Sequence, residues 1–284
     1  MAQAQRSLTV RPARVADGPA IDRLLRSGLY THSHPYWRSP TDWIGRAPAF
    51  VAENRYGLAG CLITSADPPP AAWVRAAAAI TGGPPAVVVN KLLTTGVDAL
   101  AALGISTLTA MPTAAWLAPI LDHLGFTIVE QVETWIKDDL TAPSSGADDI
   151  EVRPAKLAEM AHLAVIEQAA FAPRWQHSAE TLALAWSQAA TFTIAEQNGR
   201  ITGFQFSQSH GDRAHLVRLT IDPTAQRTGV GTRLLADGLS RCAALGLTHI
   251  SLNTQSDNLV SHRLYAAFGF YRFGHPLPVW ERQV

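Results

Sequence analysis

The chain has little cysteine and no excess of charge of either sign. Cys61 and Cys242 are its only cysteines, and neither stands near further ligands at metal-binding spacing. This argues against a disulfide framework and against a zinc site. Lysine plus arginine and aspartate plus glutamate each number 23, so the formal net charge is +0. A neutral chain gives no sign of a polyanionic partner, so we expect no nucleic acid.

Long hydrophobic runs are also missing. Residues 1–6 contain no apolar signal segment, and the apolar run at residues 76–80 is too short to cross a bilayer. We therefore expect a protein without a membrane partner, in the reducing cytoplasm. With 284 residues, of which 47% are hydrophobic and 16% charged, the chain is long enough for two domains of ordinary size.

Two common phosphate-binding motifs are absent: the chain has no Gly-x-x-x-x-Gly-Lys-Ser/Thr loop and no Gly-x-Gly-x-x-Gly loop. Instead, a strand-like run at residues 215–221 leads into a turn with Gly229 and Gly231 and then into an apolar-periodic run typical of a helix. Backbone N–H groups at the start of such a helix form an anion site, which glycines let a pyrophosphate approach closely. Thr232 is expected to help cap the helix. An ordinary strand-to-helix connection is the alternative.

This loop resembles a known cofactor motif. Gln226-x-x-Gly229-x-Gly231 is similar to the acetyl-CoA pyrophosphate loop of the GCN5-related N-acetyltransferase (GNAT) superfamily. A second segment resembles that superfamily's Asn-x-x-Ala/Ser-x-x-Leu-Tyr-x-x-x-Gly-Phe pattern through Asn258, Ser261, Leu264, Tyr265, Gly269 and Phe270. The two motifs follow one another in the family's order, so the resemblance covers residues from about 150 to 284.

The chain also repeats itself. Residues 10–13, Val-Arg-Pro-Ala, recur at 152–155, which is 142 residues later. Residues 92–93 and 103–105 recur at the same offset, and the Gly-Phe pair at 125–126 recurs at 269–270, with an offset of 144. Four matches in order indicate a duplication. The polar segment 141–149 contains proline and glycine, as linkers do, so we predict domains at 1–142 and 143–284.

Each half predicts the same order of elements. A strand at 9–11 or 151–153 precedes amphipathic helices and a hairpin, which in the second half joins residues 191–196 and 201–207 through Asn198-Gly199. Then come a strand at 215–221, the loop and its helix, a strand at 249–253, a helix from Ser261 to Phe268 and a final strand near Val279. The fold class is α/β, with two tandem GNAT-like domains, each a mixed, mostly antiparallel sheet flanked by helices.

The first half lacks the residues of the cofactor motif. At the offset of 142, the loop positions carry Pro84, Val87 and Val89, and at the later offset of 144 the tyrosine position carries Leu121. Proline donates no N–H, and valine disfavours the backbone angles and the close approach that glycine permits. We therefore expect a degenerate first domain that packs against the second and shapes the acceptor pocket.

The resemblance implies roles for single residues. Tyr265 stands where the family keeps a tyrosine that protonates the departing thiolate of CoA, as a positioned phenol can. The alternative is a core tyrosine on an amphipathic helix. The backbone N–H of Leu219 is the implied donor to the thioester oxygen, although its side chain also fits the core.

A base is needed because an acceptor amine is mostly protonated at neutral pH. His215 lies six residues before Ile221, where histone-acetylating members of the family carry a catalytic glutamate. Imidazole titrates near neutrality, so it can accept the proton directly or through water. A histidine at a strand start is often only a surface or hydrogen-bonded residue. Glu196 and His210 are weaker candidates.

The resemblance also implies a set of residues that bind acetyl-CoA: Leu219, Thr220, Ile221, Gln226, Arg227, Thr228, Gly229, Val230, Gly231, Thr232, Asn253, Asn258 and Ser261. Asn258 is equally suited to a turn and a helix cap. The segment 171–177 falls where the family forms its acceptor pocket. Its first-half analogue contains His32 and His34, which lack a third ligand, so no metal is expected.

The resemblance implies transfer of an acetyl group from acetyl-CoA to a primary amine of a small molecule or peptide, by direct attack in a ternary complex. A CoA-responsive binding or regulatory module without turnover is the alternative from a different class. The tandem arrangement with one working half also resembles mycothiol synthases, which acetylate an amino-sugar conjugate, and this is a narrower variant of the first hypothesis. The duplication is compatible with a monomer that forms a pseudo-dimer within the chain, or with a homodimer.

Overall fold

The computed structural model describes residues 8–34, 37–80, 84–144, 147 and 149–284. The chain forms two compact units. The first unit comprises Met1–Glu130 and Leu277–Val284, and the second comprises Gln131–Pro276.

The helices and strands up to residue 137 are β1 (Thr9–Pro12), α1 (Gly18–Ser27), β2 (Tyr30–Ser33), β3 (Ala49–Asn54), β4 (Gly57–Ser65), β5 (Ala71–Ala79), α2 (Pro85–Ala102), β6 (Thr107–Ala110), α3 (Ala118–His123) and β7 (Thr127–Lys137). Short 3-10 helices lie at Val15–Asp17 and Pro40–Trp43.

The elements that follow are β8 (Glu151–Pro154), α4 (Met160–Ala170), α5 (Ala179–Gln188), β9 (Thr191–Gln197), β10 (Arg200–His210), β11 (Arg213–Ile221), α6 (Val230–Ala244), β12 (His249–Gln255), α7 (Leu259–Ala267) and β13 (Tyr271–Gln283). Three 3-10 helices lie at Leu157–Glu159, Pro173–Trp175 and Pro223–Ala225.

The sheet of the first unit is mostly antiparallel. Its strand order is β1-β3-β4-β5-β6, with the end of β13 beside β6 and β2 beside β5. Among the described strand pairs of this unit, β5 and β6 form the parallel one. Leu92, Leu93 and Leu100 of α2 pack on one face of this sheet, and Ile21 of α1 packs on the other. Burial on both faces accounts for the composition of β5, in which every residue is buried and every residue except Arg75 is apolar.

The second unit repeats this plan. Its strand order is β7-β12-β11-β10-β9-β8, and β11 and β12 form the parallel pair in the part of this unit that the structure describes. Leu235 and Leu239 of α6 pack with Leu216 of β11 on one face, while α4 packs on β10 and β11 from the other. The predicted α/β class, with helices on a mostly antiparallel sheet in each of two units, is confirmed. The predicted hairpin at Asn198-Gly199 is also present, as β9 and β10.

The compact units do not follow the halves of the sequence. The second unit ends its sheet with β7, whose residues 132–137 pair with β12. The first unit ends its sheet with β13, whose residues 280–283 pair with β6. Each unit therefore takes its last strand from the other half of the chain. The predicted boundary between 142 and 143 stays a prediction about the duplicated sequence, and residues 145, 146 and 148 of its linker lie outside the described residues.

A matching ion-pair cluster supports the duplication. In the first unit, Arg11 contacts Asp17 at 2.8 Å and a glutamate on β3 at 2.6 Å. In the second, Arg153 contacts Glu159 at 2.6 Å and a glutamate on β9 at 2.7 Å. Each arginine also donates to the carbonyl of the proline that follows it. Contacts reproduced at this level of detail indicate that the two units descend from one fold.

Candidate active site

Strands β11 and β12 pair only near their beginnings. The parallel pairing ends at Leu216 and Leu252. At the next residue, Val217, the register between β11 and β10 shifts by one, which is a β-bulge. Bulges bend a strand and increase its twist. Among the described residues, no strand pairs with the β12 side of β11 beyond the bulge, so its edge there is open.

The ladder with β10 decides which backbone groups face this open edge. Asp222 N–H donates to the carbonyl of Thr202 at 2.9 Å. Bonded and non-bonded pairs alternate in an antiparallel ladder, so Thr220 bonds to β10 while the N–H and C=O groups of Leu219 and Ile221 point to the open edge. We call this edge, from Arg218 to Ile221, the slot. Leu219 presents the predicted backbone donor there, whereas the backbone of Thr220 is engaged with β10.

The loop after β11 has the backbone shape of an anion cradle. Arg227 and Gly229 are both left-handed, with φ of 65° and 94°. Arginine rarely adopts this conformation, which turns successive N–H groups toward one side. The N–H of Arg233 bonds to the carbonyl of Gly229 at 3.0 Å, and the earlier N–H groups of the helix have no intrahelical partner. Gln226, Arg227 and Thr228 are exposed.

The prediction that Thr232 caps α6 is wrong. The helix begins at Val230 with Gly229 as its N-cap, and no side chain bonds the cap. Because the left-handed Gly229 ends the turn, the helix starts before Thr232. Thr232 therefore lies inside the first helical turn. Gly231 is helical, and a Cβ built on it would lie 3.5 Å from Leu264, an ordinary contact. The packing of the protein itself does not demand glycine there.

Tyr265 is a core residue, and its role as the acid stays a prediction. Its ring is buried in the core of the second unit, with its centroid 5.8 Å from that of Phe270 and 6.4 Å from that of Trp135. Burial raises the pKa of the phenol to about 12, although a hydrogen bond with Ser261 and the charge of Arg218 act in the opposite direction. The phenol is therefore protonated at neutral pH and can donate its proton.

His215 lies on the paired part of β11. Its Nδ1 is 2.9 Å from the hydroxyl of Ser251 on β12. Burial lowers the pKa of the imidazole, so the ring is neutral at pH 7, as a base must be. Leu216 and Leu219 both pack on the α6 side. His215 and Arg218 therefore share the opposite face of β11.

The other two candidate bases are less suitable. Arg153 contacts the Glu196 carboxylate at 2.7 Å and, through Nε, at 3.1 Å. These hydrogen bonds lower the pKa of Glu196, which weakens it as a base. His210 is exposed at the hairpin end of β10, in register with Arg213 at the start of β11. The arrangement favours His215 over both.

Asn258 caps α7. Its Oδ1 accepts the N–H of Ser261 at 3.2 Å, and the helix starts at Leu259, two residues before the predicted start. Asn253 is exposed on β12, where its Oδ1 accepts a hydrogen bond from Thr134 at 3.0 Å. Each side-chain amide nitrogen can still donate to a ligand, so cofactor contacts by Asn253, Asn258 and Ser261 stay predictions.

A buried network on the α4 side of β11 was not among the predicted site residues. Arg218 Nε is 3.0 Å from Glu167 Oε1, and Arg218 Nη2 donates to the carbonyl of Trp175 at 2.6 Å. His177 Nδ1 is 3.1 Å from the same carboxylate oxygen. The Arg218 guanidinium also lies over the ring of Phe171, 4.4 Å from its centroid. The network ties the predicted acceptor segment, 171–177, to the strand that forms the slot.

Glu167 is the unusual member of this network. Its side chain is fully buried, and its Oε2 has no hydrogen-bond partner among the described residues. The neighbouring positions on the buried face of α4 carry Leu163, Ala164 and Ile166. A carboxylate within such an apolar face was the one sequence signal for this network, because buried charges are rare unless they are paired.

The corresponding edge of the first unit, from Ala76 to Ala79 on β5, is the slot of the first unit, and the chain itself occupies it. Strand β5 has the same bulge, at Arg75, and its pairing with β6 ends before that residue. Beyond the bulge, β2 pairs with β5, with Tyr30 opposite Ala79 and Ser33 opposite Ala76. The backbone groups that would receive a cofactor are thus already paired. This supports the predicted degeneracy of the first half independently of its loop.

The loop positions of the first unit differ as the sequence suggested. Pro84 precedes an α2 that itself starts with Pro85, and neither residue has an N–H to donate. Val89, in place of Gly231, is fully buried in the core. Leu121, in place of Tyr265, is also buried there. Residues 81–83 lie outside the described residues.

Metal-binding clusters and membrane-spanning helices are both missing from the described part of the chain. No cluster of three or more His, Cys, Asp or Glu side chains there is arranged to hold a metal ion. No helix there is both long enough and apolar enough to span a membrane.

Part of the second unit is similar to known proteins. Residues 160–270 match the model of the acetyltransferase (GNAT) family. A mycothiol acetyltransferase from Sanguibacter keddieii is 35% identical over 94 residues, covering 31% of this chain and 30% of that protein. A mycothiol acetyltransferase from Thermomonospora curvata is 34% identical over 89 residues, covering 31% and 30%. The matches thus span less than a third of the length of these relatives.

Solved structures resemble the whole chain. A GCN5-related N-acetyltransferase from Sphaerobacter thermophilus has a TM-score of 0.63 at 14% identity, covering 97% of this chain and 95% of that one. A tandem GNAT protein from the clavulanic acid biosynthesis pathway has a TM-score of 0.65 at 13% identity, covering 98% of each. At this level of identity the likeness concerns the fold, and it extends over both units.

Proposed function

Because residues 160–270 match the model of the acetyltransferase (GNAT) family, we propose that this chain transfers an acetyl group from acetyl-CoA to a primary amine of a small molecule or peptide. The observation that carries the proposal is the slot on β11, which leads directly into the left-handed loop before α6. An open strand edge suits an extended chain that contains amides, and the loop suits a pyrophosphate. Acetyl-CoA has both in this order.

The two parts of the site divide the binding of acetyl-CoA between them. The N–H groups of residues 226–232 would hold the pyrophosphate, with the exposed side chains of Gln226, Arg227 and Thr228 around it. The pantetheine amides would pair with Leu219 and Ile221 along the slot. The thioester oxygen would then lie at the N–H of Leu219, which stabilises the negative charge that develops there during transfer.

The chemistry requires one bond to form and one to break. The neutral amine attacks the thioester carbon, a C–N bond forms, and the C–S bond breaks to release CoA as a thiolate. Tyr265 gives this thiolate a proton, since its raised pKa keeps it protonated. The proton that the amine loses goes to His215, directly or through water. No covalent enzyme intermediate is needed.

The relatives suggest a narrower acceptor. Two similar proteins are mycothiol acetyltransferases, each matched over 31% of this chain. An amine on an amino-sugar conjugate is therefore the first acceptor to test. We place the reaction in a reducing compartment such as the cytoplasm, since Cys61 and Cys242 are both buried as free thiols, and we expect a monomer or a homodimer.

A titration with acetyl-CoA and a panel of amines tests the function. We expect CoA to bind and free thiol to appear only when a suitable amine is present, with an amino-sugar conjugate included alongside simple amines and peptides. The matched control is the same reaction with an N-acetylated acceptor, whose amide nitrogen does not attack because its lone pair is delocalised into the carbonyl group. Tight binding of CoA without acceptor-dependent thiol release across the panel would instead favour a CoA-responsive module.

A further inference from the structure

We propose that Glu167 and Arg218 are positioning residues that keep the segment 171–177 out of the slot, and thereby leave the slot of the second unit open to acyl-CoA. The role in CoA binding rests on the proposed function. The placement of the segment does not, because it follows from the comparison of the two units.

Equivalent parts of the chain take different paths in the two units. Strand β2 follows α1 and pairs with residues 76–79 of β5. At the offset of the repeat, residues 30–33 correspond to 172–175, which follow α4. There the chain forms the 3-10 turn Pro173–Trp175 instead and lies against Arg218. The same stretch that fills the slot in one unit therefore stays outside it in the other.

The slot itself is alike in both units. His34 N–H donates to the carbonyl of Arg75 at 2.9 Å, so ladder alternation directs the N–H groups of Ala77 and Ala79 toward β2. These two residues correspond to Leu219 and Ile221, whose N–H groups face the open slot. Since the bulge and the ladder phase are the same, the difference must lie in the segment or in what holds it.

Proline does not explain the difference. Pro173 stands at the position of Thr31, whose neighbours Tyr30 and His32 bond to β5 in the alternating ladder. The backbone nitrogen at this position therefore points away from β5. Proline is tolerated in an edge strand when its nitrogen has this orientation. Segment 172–175 can thus form the same strand, and something else prevents it.

The residues beneath the segment do differ between the units. Glu167 and Arg218 correspond to Leu25 and Ala76, which pack in one apolar cluster of the first unit. The fold therefore does not need an ion pair at this place. In the second unit, Arg218 bonds the carbonyl of Trp175 and contacts Phe171. Moving the segment into the slot would remove these contacts from a buried charge, which is unfavourable.

A double variant, Glu167→Leu with Arg218→Ala, tests the proposal, because it gives the second unit the residues that the first unit carries. We expect a folded protein in which, within residues 217–222, the amide hydrogens of Leu219 and Ile221 exchange more slowly, as the segment pairs with the slot. We also expect the dissociation constant for CoA, measured by calorimetry, to rise at least tenfold. Arg153→Met is the matched control, since it breaks an ion-pair cluster at the edge strand β8 and should change neither quantity.

A second substitution separates positioning from charge. Arg218→Lys keeps the positive charge but cannot reach both Glu167 and the carbonyl of Trp175 with a rigid fork. We expect an intermediate weakening of CoA binding. The reciprocal pair in the first unit, Leu25→Glu with Ala76→Arg, should release β2 and speed amide exchange at residues 77–79. This arm gives an answer even if the first double variant does not fold.

The outcomes are distinct. If the double variant binds CoA as the wild type does and exchange at 217–222 is unchanged, the proposal is wrong. Weaker CoA binding without slower exchange would also overturn it, because the two residues would then act by another route. If the wild type releases no thiol with any amine, the proposed function fails, while slower exchange at 217–222 in the double variant would still support the positioning role.

Discussion

At the scale of single residues, the surroundings of Tyr265 and His215 set their protonation states. Tyr265 and His215 are both partly or fully enclosed, and burial moves their pKa values in opposite directions, because it disfavours phenolate in one and imidazolium in the other. At neutral pH the enclosed tyrosine therefore holds a proton and the enclosed histidine lacks one. This is the combination that an acid and a base acting in one transfer require.

Replacement of Tyr265 by phenylalanine should slow the chemistry without weakening cofactor binding. The Tyr265→Phe variant keeps the ring in its core position but has no proton for the thiolate, so we expect kcat to fall by roughly 10²-fold or more. The dissociation constant for CoA should be unchanged. Tyr271→Phe is the control, since Tyr271 is exposed and bonds Asp138. An unchanged kcat in Tyr265→Phe would show that this phenol is only a core residue.

The pH profile of kcat tests His215. Its folded pKa lies below the ordinary 6.5, so the base is neutral above that pH and becomes protonated, and inactive, as the pH falls. We expect kcat of the wild type to drop on the acid side of pH 6.5. His215→Ala should have a lower kcat and lose this acid limb, whereas His249→Ala, at the half-buried start of β12, should keep it. An identical profile in wild type and His215→Ala would remove His215 as the base.

At the scale of elements, the two units differ at the parts of β5 and β11 that follow the bulges. After the bulge, β5 and β11 each direct two N–H groups away from the neighbouring hairpin strand. Among the described residues, β2 pairs with those of β5, and no strand pairs with those of β11. His32 is the buried residue of β2. Neither of its ring nitrogens has a hydrogen-bond partner among the described residues.

Acid should destabilise the first unit through β2. Burial lowers the pKa of His32 to about 4, so the folded state binds its proton at a lower pH than the unfolded state does. The contribution to stability is complete above pH 6.5 and is lost as the pH falls toward 4, at a total cost of roughly 3 kcal/mol.

Denaturant unfolding at pH 7 and pH 4.5 measures this loss. The His32→Gln variant, which cannot titrate, should lose roughly 2–3 kcal/mol less than the wild type between these pH values. His123→Gln, on α3, is the control. Equal losses in the wild type and His32→Gln would mean that His32 is not the sensitive group.

At the scale of the whole molecule, each compact unit is completed by a strand from the other half of the sequence. In the second unit, β7 supplies the partner of β12, and its Trp135 is buried in the same core as Tyr265 and Phe268. In the first unit, residues 280–283 supply the partner of β6. A cut at the predicted linker would therefore separate strands from the sheets they complete.

Fragments test this arrangement. A fragment of residues 143–284 lacks β7, so the hydrogen bonds to β12 and the buried Trp135 are lost. Removing a large buried aromatic side chain alone typically costs about 3–5 kcal/mol. We expect this fragment to melt at a lower temperature than a fragment of residues 131–276, as followed by circular dichroism. If 143–284 melted at the higher temperature, the linker would be the true boundary of the folding unit.

The features that the sequence predicted correctly are those that interactions between residues near in sequence determine. The left-handed Gly229, the helix cap at Asn258 and the hairpin at Asn198-Gly199 all depend on residues within a few positions of each other. The repeat is visible for the same reason, since duplication preserves such local patterns. The small errors, at Thr232 and at the start of α7, concern one or two residues, because caps compete over neighbouring positions.

Only the tertiary structure decided which N–H groups of β11 remain unpaired among the described residues, and which side chains hold segment 171–177 away from them. Arg218 meets Glu167 across 51 positions (from 167 to 218), β2 enters a slot formed about 45 residues later, and the last strand of each sheet comes from the other half of the chain. An edge of a strand accepts any extended partner, so its own sequence does not name that partner. The choice depends on contacts between residues that are distant in sequence and adjacent only after folding.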